Sequence, residues 1–155
     1  MSDNLLIHEE TFYVATKLCL KCGEEILTVV ESYPWLPLWR ELPGGKISRA
    51  DGKNPPLYTL CREVQEELGI DISLDESNTQ LFHIEKRYEM TTQYSERAFI
   101  FLCYVYEIDT KPEVTLTEHS EARWIRESDI DNYTDWRPGF DMIIRKAFTT
   151  LKTLN

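Results

Sequence analysis

Three glutamates lie close together near the middle of the sequence, namely Glu63, Glu66 and Glu67. On an α-helix, residues three and four positions apart are surface neighbours, so this spacing places the three carboxylates on one side of a helix. Carboxylate oxygens are hard ligands that suit Mg²⁺ or Mn²⁺, and these ions also bind phosphate oxygens. The spacing therefore permits a divalent-metal site that acts on a phosphorylated molecule.

The same spacing is also compatible with an ordinary solvent-facing surface. Like charges three or four positions apart on a helix cost only about 0.2–0.5 kcal/mol per pair, which a solvated helix tolerates easily. The glutamates by themselves therefore do not identify a site, and the choice depends on the residues around them.

Three neighbouring features favour the metal site. Pro43-Gly44-Gly45 precedes the glutamates, and the two glycines allow a phosphate to approach the backbone closely. Arg62 comes directly before the first glutamate and is suited to hold a carboxylate through two hydrogen bonds. Gly69 follows the last glutamate and suits the end of a helix. Together these features indicate phosphate chemistry at the acidic side of the helix.

Two segments carry a resemblance to a known family. Arg62-Glu63-Val64-Gln65-Glu66-Glu67-Leu68-Gly69-Ile70 resembles the second half of the Nudix box, and Pro43-Gly44-Gly45-Lys46-Ile47 resembles its opening. The chain is thus similar to MutT-like Nudix hydrolases. The resemblance implies a pyrophosphohydrolase that acts on acid anhydrides. Its substrate would be a nucleoside triphosphate, or a nucleoside diphosphate linked to another group.

The resemblance also implies roles for the acidic helix. Glu63, Glu66 and Glu67 are expected to hold Mg²⁺ or Mn²⁺, with Glu63 and Glu67 as the direct ligands. Arg62 is expected to hold a carboxylate through two hydrogen bonds and so to orient the helix against the glycine segment. It is counted among the catalytic residues because it positions the metal ligands.

A hydrolase of this kind also needs a general base. Glu66 is one candidate, and Glu118 and Glu121, in the loop ahead of Trp124, are alternatives. The competing interpretation of Glu118 and Glu121 is an exposed acidic loop in an acidic protein. His119, between them, is a weaker candidate.

Five residues are expected to contact the substrate. Gly44, Gly45 and Lys46 lie where the phosphates would bind, although a single exposed lysine also serves solubility. Trp35 and Trp39, in a proline-rich segment, are suited to stack on a base. Anchoring of that segment is an equally good interpretation of the two tryptophans.

The first half of the box departs from the family pattern. In the family a glycine, five residues, a glutamate and seven residues precede the Arg-Glu pair, but the distance from Gly45 to Arg62 is three residues longer. Counting forward from Gly45 reaches Asp51, and counting back from Arg62 reaches Asn54. Two alternatives to a working hydrolase therefore stay open, a nucleotide-binding or regulatory domain without turnover and an ordinary α/β protein with an acidic face.

The composition narrows the possible partners. A chain of 155 residues is the size of one compact domain, so residues 1–155 are expected to form a single Nudix domain. With 27 acidic and 17 basic residues, its net charge of −10 disfavours a nucleic acid polymer or an anionic membrane as partner. A small nucleotide-like phosphorylated substrate remains compatible when a cation reverses the local charge. We expect a cytoplasmic protein without a membrane span; a homodimer is possible.

The hydrophobic pattern predicts the elements that position these residues. A hairpin is expected at 11–20 and 26–31, helices at 56–68 and 140–151, and further strands at 81–88, 97–107 and 122–125. Strands followed by a helix, then strands and a helix again, indicate a mixed central sheet with helices on both faces, an α/β/α sandwich.

The cysteines invite a different interpretation. Cys19 and Cys22 form a C-x-x-C, but a structural zinc site needs four ligands, and Cys61 and Cys103 stand alone. The pair is therefore interpreted as a strand end next to a hairpin turn.

Overall fold

The computed structural model describes residues 10–31, 38–92 and 95–152. Within these residues, six strands form one sheet, flanked by two α-helices. In chain order the elements are β1 (Phe12–Cys22), β2 (Glu25–Glu31), β3 (Trp39–Glu41), α1 (Pro56–Leu68), β4 (Gln80–Thr92), β5 (Ser95–Ile108), β6 (Glu121–Arg126) and α2 (Phe140–Lys152). Short 3₁₀ helices span Arg49–Asp51 and Glu127–Asn132.

The sheet is mixed, as the order of elements predicts. Its strands follow the order β3-β2-β1-β5-β4, and β6 also pairs with β2. β1 and β5 are parallel, with a register that runs from Phe12 opposite Ala98 to Cys22 opposite Ile108. The other strand pairs are antiparallel. β5 lies inside the sheet and contributes side chains to the apolar clusters on both faces, which explains its nearly continuous apolar sequence.

Two apolar cores lie on opposite faces of the sheet. Because side chains alternate along a strand, Leu18 of β1 packs toward α1 whereas Cys19 packs toward α2. The buried apolar residues of the helices are Leu57, Leu60, Val64 and Leu68 in α1, and Phe140, Ile143, Ile144, Ala147 and Phe148 in α2. Each large aliphatic side chain buried in this way stabilises the fold by about 1.5–3 kcal/mol. The predicted α/β/α sandwich is confirmed.

No helix of the described residues is long and apolar enough to cross a membrane.

Several element ends differ from those predicted. α1 has the predicted bounds, but the turn between β1 and β2 contains only residues 23 and 24, with Gly23 at a φ of 59°. β4 extends to residue 92 and β5 begins already at residue 95. Both strands are longer than predicted because backbone hydrogen bonds continue their pairing past the apolar residues. Trp39 and Arg40, predicted as part of a loop, form the short strand β3 beside β2.

The two cysteines of the C-x-x-C both lie in β1, and Cys22, which was predicted in the hairpin turn, is instead the last residue of the strand. Three positions apart on a strand, their side chains point to opposite faces of the sheet. Cys19 is fully buried, and this burial raises the pKa of its thiol well above the usual range. Cys19 is therefore an inert core residue.

Candidate active site

Helix α1 is positioned by the face opposite its glutamates. It begins at Pro56, where the missing N–H of proline costs no hydrogen bond. It ends at Leu68 and is capped by Gly69, whose φ of 66° allows its N–H to bond the carbonyl of Gln65. Leu60 and Val64 are fully buried against the sheet. Because this apolar side packs on the sheet, the side of the helix that carries the glutamates faces away from the core.

The glycine segment, Gly44–Gly45, lies between β1 and α1. Thr16 of β1 donates its N–H to the carbonyl of Gly45 at 2.9 Å, which fixes the path of the segment. The N–H of Gly44 donates to Glu67 Oε2 at 3.0 Å. A Cβ on Gly45 would lie 2.4 Å from Glu63 Cδ. The absence of side chains thus lets the backbone touch two carboxylates of the helix.

The three glutamates of α1 have different surroundings. Glu67 is 6% exposed, and the side chains of Glu63 and Glu66 are 17% and 50% exposed. Burial raises the pKa of Glu63, opposed by the charge of Arg62 and supported by that of Glu67. Glu63 and Glu67 face the cleft beside the glycine segment, whereas Glu66 lies outside it.

Arg62 joins three carboxylates. Its Nε lies 2.9 Å from Asp51 Oδ1, its Nη2 lies 2.9 Å from Glu63 Oε1, and its Nη1 lies 2.8 Å from Glu66 Oε2. The hydrogen bond from Arg62, followed by that from the N–H of Ser48, lowers the pKa of Asp51 to about 2. Arg62 therefore ties the turn before α1 to the acidic side of the helix.

Of the two residues reached by counting from the ends of the box, Asp51 contacts Arg62. Its side chain is buried and closes the 3₁₀ turn by accepting the N–H of Ser48 at 2.7 Å. Asn54 instead donates its side-chain amide to the carbonyl of Asp51 at 2.8 Å. The additional length of the loop therefore lies after Asp51, and a carboxylate is retained opposite Arg62.

The loop between β5 and β6, residues 109–120, places the polar side chains of Glu118 and His119 near the acidic side of α1. Thr117 donates its N–H to the carbonyl of Glu67 at 3.2 Å, and Ser120 donates its N–H to a carbonyl of β2 at 3.1 Å. Between these two bonds, the exposed Glu118 lines the cleft and His119 is buried.

His119 lies beside Glu67. Its Nε2 is 3.2 Å from Glu67 Oε2, and its side chain is 3% exposed. Burial disfavours the charged imidazole, but the carboxylates of Glu67 and Glu31 outweigh it and raise the pKa of His119. The histidine and Glu67 thus form a buried pair at the edge of the cleft.

The cleft has a volume of about 440 Å³, and its lining combines the glycine segment and charged side chains with Trp39, Phe99, Phe101 and Met90. Phe99 and Phe101 are stacked, with ring centroids 5.6 Å apart, and both belong to the core. A cleft lined by apolar side chains and a few polar groups is the usual form of a site for a small ligand.

A buried network of charges lies beside the cleft. Lys17 Nζ lies 2.9 Å from Glu41 Oε1 and donates to the carbonyl of Gly44 at 2.9 Å. Arg137 bonds the carboxylates of Glu41 and Glu89. Burial opposes the ionised form of Glu41, but Arg137 and Lys17 hold the pKa of its carboxyl well below the usual range. Each buried charge is therefore compensated.

Comparison with known proteins identifies the family. The NUDIX domain model matches residues 13–146, which is most of the chain. The chain belongs to the NUDIX family. No curated protein sequence matches it. Membership makes it a hydrolase of the Nudix type, and such hydrolases generally use divalent cations and act on small nucleotide-like molecules.

Solved structures share the Nudix fold at low sequence identity. The ORF135 protein of E. coli is 18% identical, with a TM-score of 0.70 and 94% of each chain covered. The MutT protein of Methanosarcina mazei Go1 is 19% identical, with a TM-score of 0.71 over 94% of this chain and 98% of its own. A MutT NUDIX hydrolase from Burkholderia pseudomallei is 18% identical, with a TM-score of 0.69 over 88% and 98%.

The structure does not bring every predicted site residue to the cleft of this Nudix domain. Glu121, predicted in the loop ahead of Trp124, is the first residue of β6 and lies 2.7 Å from Arg40 Nη2. Lys46 lines the cleft, with Nζ 5.2 Å from the ring of Tyr13. Trp35 lies outside the described residues.

The carboxylates of the cleft are of the kind that binds the divalent cations Nudix hydrolases generally use. Among the described residues, no three acidic, histidine or cysteine side chains already surround a single point. Glu63 and Glu67 nevertheless both face the cleft. Mg²⁺ typically binds through one or two carboxylates and completes its coordination with water and phosphate oxygens. Two carboxylates beside a glycine segment therefore fit Mg²⁺ or Mn²⁺.

Two residues in or beside the cleft had little or no signal in the sequence, namely His119 and Arg137. His119 follows Glu118 directly, so its place between acidic residues was the available clue. Arg137 begins an Arg-Pro-Gly sequence that predicts a turn, but its side chain is buried. Its two carboxylate partners lie 48 and 96 positions away in sequence, where no local pattern connects them.

Proposed function

We propose that this chain is a metal-dependent Nudix pyrophosphohydrolase. It hydrolyses a phosphoanhydride bond in a nucleoside triphosphate or in a nucleoside diphosphate linked to another group. The observation that carries the proposal is the contact of Glu63 and Glu67 with the Gly44–Gly45 backbone inside the cleft. This contact places hard oxygen ligands beside a backbone that phosphates can approach.

In this proposal Glu63 and Glu67 hold Mg²⁺ or Mn²⁺. A bound cation neutralises phosphate charge as the bond breaks and acidifies the attacking water. The chain's own net charge of −10 makes this compensation necessary for an anionic substrate. Lys46 supplies a further positive charge on the cleft wall, and Arg62 keeps the Glu63 carboxylate in place through their 2.9 Å ion pair.

We assign the general base to Glu118. Glu118 lines the cleft and is exposed, so it is accessible to the attacking water. Glu66 is held by Arg62 and lies outside the cleft, and Glu121 is paired with Arg40. A general base contributes about 10²–10⁴-fold to the rate. Glu118→Gln should therefore lower kcat by at least about 100-fold, and Glu66→Gln by much less.

Trp39 is suited to stack on the base of a nucleotide. It lines the cleft and is half-buried, and its ring lies 5.8 Å from the Arg137 guanidinium carbon. A planar base gains by stacking on such a ring without a requirement for particular hydrogen bonds.

The binding-only alternative is less well supported. It was motivated by the missing glutamate of the box, but Asp51 supplies a buried carboxylate that bonds Arg62. The machinery that orients α1 is thus present, which favours turnover over binding alone.

A substrate panel tests the proposal. The full chain is incubated with nucleoside triphosphates, nucleotide sugars and dinucleoside polyphosphates, with Mg²⁺, with Mn²⁺ and with a chelator. We expect products only with the cations, and a loss of activity in Glu67→Gln with the fold intact. Glu107→Gln, an exposed glutamate paired with Lys21 outside the cleft, is the matched control and should retain activity. Thermal stabilisation by nucleotides without any product would favour the binding domain instead.

A further inference from the structure

The loop that carries Glu118 and His119 is fastened on both sides. Thr115 and Thr117 donate their N–H groups to the carbonyls of Leu68 and Glu67, at 2.8 and 3.2 Å, and so satisfy the C-terminal end of α1. Ser120 donates its N–H to the carbonyl of Val30 at 3.1 Å. The position of residue 119 relative to α1 is therefore set by the backbone.

At this fixed position His119 is buried without a well-aligned hydrogen bond. Neither ring nitrogen has such a bond among the residues that the structure describes. Nε2 lies 3.2 Å from Glu67 Oε2, within reach of a hydrogen bond after a small rotation of the ring. Proteins rarely bury unpaired polar atoms, so a histidine that only filled space would be an unfavourable choice here.

The contact with Glu67 uses one particular oxygen. Glu67 Oε2 also accepts the N–H of Gly44 at 3.0 Å. The backbone N–H and the imidazole thus approach the same oxygen from two elements, and neither of these contacts occupies Oε1. A carboxylate held in this way has its second oxygen left for a ligand in the cleft.

We infer that His119 is a positioning residue: it donates Nε2–H to Glu67 Oε2 and, with the Gly44 N–H, fixes the orientation in which Glu67 presents Oε1 to the cation. This inference rests on the proposed function. Partners that orient a metal ligand in this way typically change metal affinity or activity by 10–100-fold when they are replaced. No proton transfer is assigned to His119.

A matched pair of substitutions tests the inference. In His119→Gln the amide nitrogen occupies about the position of Nε2 and can still donate to Glu67. In His119→Asn the amide is also polar but too short to reach it. Mn²⁺ binding to the full chain without nucleotide is measured by isothermal titration calorimetry, and kcat and KM are measured in parallel. We expect His119→Asn to bind Mn²⁺ about 10–100-fold more weakly, and His119→Gln to remain within about threefold of the original protein.

Three controls make the result decisive. His83→Asn makes the same change at a histidine of β4 that contacts Lys146, and should leave Mn²⁺ binding unchanged. Circular dichroism and thermal unfolding verify the fold, and His119→Leu, with the same expected loss, replaces His119→Asn if the latter does not fold. Wild-type Mn²⁺ affinity in the folded variant, or equal losses in His119→Asn and His119→Gln, overturns the inference.

The experiment also separates this inference from the proposed function. Glu67→Gln is titrated with Mn²⁺ alongside the His119 variants. If Glu67→Gln binds Mn²⁺ as tightly as the original protein, the proposed metal site is wrong, and the role of His119 falls with it. If Glu67→Gln loses affinity while His119→Asn does not, the metal site stands and only the role of His119 is rejected.

Discussion

Gly45→Ala is expected to change the geometry of the cleft, and so the activity, without destabilising the fold. A Cβ at residue 45 would lie 2.4 Å from Glu63 Cδ, and 2.5 and 2.8 Å from its two oxygens. An ordinary contact starts at 3.4 Å, so the carboxylate must move by about 1 Å (from 2.4 to 3.4 Å). Displacement of a catalytic group by about 1 Å costs on the order of 10²-fold in rate. We expect that loss in kcat/KM, together with weaker Mn²⁺ binding.

The fold of Gly45→Ala should be unaffected. Gly45 does not have a positive φ, and the atoms that its Cβ would meet belong to the flexible end of Glu63. Removal of a glycine also restricts the unfolded chain, which by itself stabilises a protein by about 0.4–1 kcal/mol. The free energy of unfolding, measured with urea on the metal-free protein, should therefore change by no more than about 1 kcal/mol.

Gly44→Ala is the contrasting substitution. Gly44 has a φ of 125°, and its Cβ would lie 2.2 Å from the backbone oxygen of Thr16, which cannot move without distorting β1. A strained backbone of this kind costs about 1–3 kcal/mol even before the overlap is relieved. Wild-type hydrolysis and Mn²⁺ affinity in Gly45→Ala would refute this reasoning, as would unfolding of Gly45→Ala as severe as that of Gly44→Ala.

Buried charges permit two further tests. The pKa of Asp51 is held at about 2, below its usual 3.8, so its ionised form stabilises the fold above about pH 4 and this contribution is lost as pH falls toward 2. The difference in unfolding free energy between the metal-free protein and Asp51→Asn should shrink over that range in urea titrations; a constant difference contradicts this. Arg137→Met removes the cation that Glu41 and Glu89 share and leaves, among the described residues, only Lys17 beside Glu41 and Arg87 beside Glu89. It should cost up to about 3–5 kcal/mol at pH 7 in the same assay. Arg145, which is half-buried and paired with the exposed Asp131, gives the control Arg145→Met, which should cost less than about 1 kcal/mol. Equal losses in the two arginine variants would contradict the role of Arg137.

The parts of the fold that sequence predicts are those with local causes. Helix α1 has its predicted bounds because Pro56 and Gly69 act on the residues next to them. The mixed sheet follows from the order of the elements. The ends of β4 and β5 were missed, because residues such as Thr92 and Ser95 extend the ladder through backbone pairing without an apolar pattern.

The same distinction applies to the cleft. At 100° per residue, Glu66 lies roughly opposite the apolar stripe of α1, whereas Glu67 lies only about 80° from it. The helical geometry thus already favours an outward Glu66, although the spacing of three and four treats the glutamates alike. The pairing of His119 with Glu67 joins residues 52 positions apart in chain order, and no rule of local sequence connects them.

The parallel pairing of β1 with β5 has a consequence for the time at which the cleft forms. Gly45 bonds Thr16, which lies 29 positions earlier, but residues 12–22 find their parallel partner only in residues 98–108. Closing so long a loop is slow, and parallel pairing is slower than local pairing. During synthesis on the ribosome, α1 emerges well before the loop that carries His119. A nascent chain therefore contains the residues of α1 before His119 can pair with Glu67, so the proposed cation site would be completed late in folding.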